Sequence, residues 1–78
     1  MEIKLYTTTS CPFCVAAKNL LISKNLEFTE LDLTSDLELR LEVSTKHNWR
    51  TVPIVIIDDK LIGGFDDLNK LNSDGGLD

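Results

Sequence analysis

Ser10-Cys11-Pro12-Phe13-Cys14 sets two thiols two residues apart at the point where a strand hands over to a helix, and both cysteines of the chain are spent there. Before it, Ile3-Lys4-Leu5-Tyr6 alternates in polarity and reads as a short strand. After it, Val15 to Lys24 carries Ala16, Ala17, Leu20 and Leu21 at helical spacing. Pro12 then falls at the first helical position, where its fixed φ suits the helix and its missing N–H costs nothing. Cys11 is left in the N-cap region, beside unsatisfied backbone N–H groups and the positive end of the helix dipole. Such surroundings favour a thiolate, the reactive form of cysteine. Cys14 lies on the same face of the first turn, placed to attack a disulfide formed at Cys11. The pair can take up and release two electrons as a reversible disulfide.

Other uses of two cysteines fit less well. Closing so short a loop removes little unfolded-state entropy, so a structural disulfide would stabilise little. Zinc takes about four ligands, and the chain adds only His47, far away in sequence. Haem attachment needs a histidine after the second cysteine, where Val15 stands. A C-x-x-C beside a strand–helix pattern points instead to thiol–disulfide chemistry.

A length of 78 residues allows one small domain, read over 1–78. No apolar run approaches the ~20 residues of a membrane span, and Met1-Glu2-Ile3-Lys4 enters a strand directly, leaving no room for a targeting segment. A net charge of −5 argues against nucleic acid and suits a choice among protein partners by charge. Paired cysteines without a secretory signal suggest a reducing cytoplasm.

Along the rest of the chain, Asn25 is a helix stop and Leu26 to Leu33 a second strand, expected to lie parallel beside the first. Ser35-x-x-Glu38 is a capping-box pattern that should open a helix near Asp36. Leu37 and Leu41 stack at i and i+4 in it, with Glu38, Arg40, Glu42 and Lys46 on solvated faces, and it ends around His47-Asn48. His47 reads as a dipole partner of that helix end, and Trp49 as a packed loop residue. Ile54-Val55-Ile56-Ile57 fits a strand buried on both faces. Asp58-Asp59 turns it into a short returning strand, Lys60-Leu61-Ile62. Gly63-Gly64 permits positive φ or a close backbone approach before a last helix near Asp66, docked by Leu68 and Leu71 and ended by Asn72 to Gly76. The class is α/β: one layer of four strands with helices on both faces.

Four separated signals, Tyr6-Thr7 before Cys-Pro-Phe-Cys, Thr51-Val52-Pro53, Gly63-Gly64-Phe65-Asp66-Asp67 and Gly75-Gly76-Leu77, together resemble the dithiol glutaredoxins, nearest to the small bacterial members. The resemblance implies a thioredoxin fold, βαβαββα, with a mixed sheet in the order 2-1-3-4 flanked by three helices, working as a monomer. It implies that Cys11 attacks a glutathione mixed disulfide, holds glutathione, and is released by a second glutathione. Cys14 would be the resolving thiol on protein disulfides. Thr51-Val52-Pro53 would be the docking loop, with Pro53 in cis and the Val52 backbone pairing with the glutathione cysteine. Gly64, Phe65 and Asp66 would bind the γ-glutamyl end, the helix-start N–H groups taking its carboxylate and Asp66 its ammonium. Phe13 supplies a ring wall where tyrosine is more common.

For the glycine carboxylate, relatives place a lysine three residues before the first cysteine, where this chain has Thr8; Arg40 matches a second basic position in the second helix. Glutathione is thus the implied co-substrate, with glutathionylated proteins and disulfide substrates, ribonucleotide reductase among them, as partners and no metal. Two alternatives accompany this reading. One is a redoxin reduced by thioredoxin reductase that donates electrons to ribonucleotide reductase. The other is an iron–sulfur carrier using Cys11 and glutathione across two chains, which the stiff Pro12 disfavours.

Overall fold

Alternate positions of Ile3–Thr7 are fully buried, and this strand, β1, is the spine on which the other elements are hung. The computed structural model describes residues 1–77. After β1 come α1 (Pro12–Ser23), β2 (Thr29–Asp32), α2 (Leu37–His47), β3 (Ile54–Ile57), β4 (Lys60–Gly63) and α3 (Phe65–Ser73). The sheet order is β2-β1-β3-β4, with β1 and β2 parallel and the β1–β3 and β3–β4 pairs antiparallel. This is the expected thioredoxin-type layout.

All four residues of β3 are buried because both faces of the sheet are covered. On one face Val55 and Ile57 join Ile3, Leu5, Ala17 and Leu21 of α1, and Leu68 of α3, in the larger core. On the other, Ile54 and Ile56 pack with Val43 of α2, flanked by Tyr6, Leu39, Trp49 and Leu61. Leu77, buried after α3 has ended, closes the larger core.

Three details differ from the sequence reading. β2 is shorter than the predicted 26–33 stretch: Leu26 and Phe28 precede the ladder and pack instead against the larger core. The cap of α2 is Asp36, whose Oδ1 accepts the Leu39 N–H at 3.0 Å, rather than Ser35. The apolar stripe of α2 also turns over. Leu37 and Leu41 are 68% and 59% exposed, while Leu39 and Val43 face the sheet. Both pairs have i, i+4 spacing, but two residues at 3.6 per turn set them on nearly opposite sides of the helix, so only one pair can be covered.

The turns use the residues that tolerate left-handed backbone. Asn25 (φ 57) and Asn48 (φ 51) follow α1 and α2, and Asp58 (φ 50) and Asp59 (φ 66) make the tight β3–β4 hairpin. Gly63, at φ +127, packs where a Cβ would collide with the Asp67 carboxylate, so glycine is required there on both counts. Among the described residues no helix is long and apolar enough to cross a membrane.

Candidate active site

β1 delivers the chain to the end of the sheet where Cys11 caps α1, with Pro12 as the first helical residue. The Cys11 sulfur accepts the Cys14 N–H at 3.3 Å, which satisfies one orphan donor of the first turn. It also lies 3.5 Å from the Val52 carbonyl oxygen, as thiol donor to that acceptor. Both cysteines are free thiols. They differ in access, Cys11 being half-buried and Cys14 buried at 1% exposure. Burial pushes the Cys14 thiol up to about 12, and its hydrogen bond with Cys11 adds to the rise. The Thr8 backbone and the Lys18 charge act the other way without prevailing. Cys14 therefore holds its proton at neutral pH beside the more accessible Cys11.

The Val52–Pro53 bond is cis, and Pro53 is buried at the start of β3. The loop that carries it lines a cleft of about 470 Å³ together with the first residues of α1 and α3. Phe13, Thr51, Val52, Pro53, Gly64, Phe65 and Asp66 all come together there. Arg40 does not: it sits half-buried on α2, outside the lining. The Phe13 and Phe65 rings stand 6.2 Å apart, tilted by 32°, and Phe13 is 60% exposed.

Two further residues line the cleft that the sequence reading left unassigned. Asp67 enters the sequence reading only as the last residue of the Gly63-Gly64-Phe65-Asp66-Asp67 signal, and its Oδ2 accepts the Gly64 N–H at 3.1 Å. Trp49 was read as a packed loop residue, which it is, yet its ring also forms a wall of the cleft. Among the described residues its buried Nε1 has no hydrogen-bond partner, so packing holds the ring in place.

A second, more polar cleft of about 390 Å³ involves Thr7, Thr8, Thr9, Val15, Lys18, Glu30 and Asp32. Within it Lys18 pairs with Glu30 at 3.1 Å, and the Thr7 hydroxyl donates to the same Glu30 oxygen at 2.8 Å. The Thr7 hydrogen bond first, and then Lys18, hold Glu30 below the usual carboxylate range. Lys18 stands one helical turn after Cys14, a spacing that could have drawn notice to it. Among the described residues no group of three or more His, Cys, Asp or Glu could hold a metal ion.

A reactive sulfur at a helix start, a protonated partner beside it and a backbone loop at hydrogen-bonding range make a site for thiol–disulfide exchange. The sequence model of the family described as Glutaredoxin matches residues 3–62. The chain belongs to the glutaredoxin family. It is 42% identical over 77 residues to Glutaredoxin 3 of Escherichia coli strain K12, covering 99% of this chain and 93% of that one. It is similar in structure to a wheat glutaredoxin, with a TM-score of 0.89 and 36% identity over 96% of this chain and 72% of that one. A buckwheat glutaredoxin–glutathione complex is also similar, at a TM-score of 0.89 and 28% identity over 96% of this chain and 71% of that one. As a glutaredoxin with both cysteines of the C-x-x-C motif, the chain is a thiol–disulfide oxidoreductase.

Proposed function

We propose that the chain reduces mixed disulfides formed with glutathione, and protein disulfides through Cys11 and Cys14 together. The observation that carries this reading is the cleft beside Cys11 in which the Thr51–Pro53 loop, the Phe13 ring and the start of α3 meet. The buckwheat relative solved as a glutathione complex adds support. In this reading the Cys11 thiolate attacks the glutathione sulfur, the S–S bond breaks, and the substrate thiolate leaves with the electron pair. A second glutathione then reduces the Cys11–glutathione disulfide, producing glutathione disulfide. On a protein disulfide, Cys14 gives up its proton and displaces the substrate from Cys11.

The Val52 backbone would pair with the glutathione cysteine, the N–H groups opening α3 would take the γ-glutamyl carboxylate, and Asp66 its ammonium. Arg40 would meet the glycine carboxylate only where the ligand extends past the cleft lining toward α2. The chain would act as one domain and one protomer in a reducing cytoplasm, where thiols stay reduced.

The test is NADPH-driven reduction of a glutathione mixed disulfide, comparing glutathione plus glutathione reductase with thioredoxin reductase alone. Turnover with glutathione is expected. Turnover only with thioredoxin reductase would replace this reading with that of a redoxin serving an acceptor such as ribonucleotide reductase, an outcome that Thr8 in the lysine position keeps in view.

A further inference from the structure

The cleft beside Cys11 is one-sided in charge. Among the described residues its lining contains two carboxylates, Asp66 and Asp67, and no lysine, arginine or histidine. Asp67 is engaged by the Gly64 N–H, whereas Asp66 is exposed and makes no ion pair among the described residues. The remaining walls include three aromatic rings, Phe13, Phe65 and the single tryptophan, Trp49, beside the Thr51–Pro53 loop. Rings attract cations over their faces, tryptophan most strongly, and a free carboxylate at the end of an aromatic groove adds direct attraction. A net charge of −5 works in the same direction at long range.

We propose that this cleft selects polypeptide disulfides whose reactive cysteine is flanked by arginine or lysine. The inference rests on the reading of Cys11 as the nucleophile and names the protein substrates that it would favour. A polypeptide fits because the Cys11 sulfur lies 3.5 Å from the Val52 carbonyl oxygen. A substrate strand docked on that loop holds its cysteine at the sulfur and sends the adjoining side chain into the groove. The long apolar stem of arginine can cover the Phe13 and Phe65 rings while its head reaches Asp66. A glutamate in the same place would meet two carboxylates and no base. In the reaction, the Cys11 thiolate attacks the substrate cysteine sulfur, a new S–S bond forms, and the displaced thiolate departs with the electron pair.

Two peptides that differ only in the residue beside their single cysteine, arginine or glutamate, provide the test. Each is prepared as the mixed disulfide with 2-nitro-5-thiobenzoate and given to protein carrying Cys14→Ser, in which the first attack releases the coloured thiolate only when it falls on the peptide sulfur. With the reduced protein in excess at low salt, the arginine peptide should react about tenfold faster or more. Asp66→Asn should bring the ratio towards one. Glu27→Gln, which removes an exposed carboxylate before β2 at the far end of the sheet, should preserve it.

Equal rates for the two peptides, with turnover of a glutathione mixed disulfide intact, would overturn this inference and leave the proposed function standing. A ratio that survives Asp66→Asn would also overturn it, since the whole molecule's charge and not the cleft would then be the source. If neither peptide released the coloured thiolate, the nucleophile assignment and this inference would fall together.

Discussion

Cys11 and Cys14 share one helical turn, but one is half-open to solvent and the other is sealed, and this difference sets what each can do. Cys14→Ser should keep turnover of glutathione mixed disulfides at the same order and abolish dithiol reduction of a protein disulfide. Cys11→Ser should bring both to the uncatalysed rate; substantial turnover in that variant would mean that the nucleophile is wrongly assigned. Cys14 also predicts a pH dependence. An ordinary cysteine loses its proton near pH 9.0, whereas burial keeps Cys14 protonated to about 12. Below pH 9.0 the native and unfolded chains both hold that proton. Between pH 9.0 and about 12 the unfolded chain gives it up first, so the reduced protein should lose stability across that window. Urea denaturation should show a shallower alkaline decline in Cys14→Ser, and identical declines would refute the burial argument. The cysteines and Pro12 were legible because they belong to a motif with local chemistry, whereas Thr51-Val52-Pro53 and Asp66, which line one cleft, were singled out by the family resemblance. Trp49 belongs to none, and its place in the cleft depends on how the α2–β3 loop folds back on Gly64.

The helix α2 shows what periodicity leaves undecided. Leu37 with Leu41 and Leu39 with Val43 are equally good stripes on a wheel, and the choice between them is made by the sheet that one of them must cover. Val43→Ala should cost about 1–3 kcal/mol, because it removes buried methyl groups and leaves a void. Leu41→Gln should change stability by no more than about 0.5 kcal/mol, as exposed substitutions do. Thermal or urea unfolding of the two variants tests the orientation of the helix, and a larger loss in Leu41→Gln would reverse it. By contrast, β3 was readable at once. Four consecutive apolar β-branched residues leave neither face for solvent, and two layers of helix are the simplest way to satisfy that.

For the molecule as a whole, the β1–β2 and β3–β4 pairings followed from a few strong rules, and the β1–β3 pairing from the family resemblance. A strand–helix–strand unit returns parallel, and a two-residue turn makes its strands antiparallel. The clefts could not be read in that way, since their shape comes from residues far apart in sequence converging at one end of the sheet. The far end of the described chain also matters for stability. Leu77→Ala should cost about 2–5 kcal/mol, measured by chemical unfolding; that is a large part of the 5–15 kcal/mol typical of a domain. A neutral result would mean that the closing stretch rests on the core without completing it.

Ile3 and Leu77 belong to one apolar cluster. A ribosome makes β1 well before it reaches Leu77. Until then the inner face of the sheet stays unsealed on the nascent chain. Folding of this unit thus waits on synthesis of the stretch through Leu77, and a product that stops short of it would expose the greasy surface that chaperones and proteases recognise.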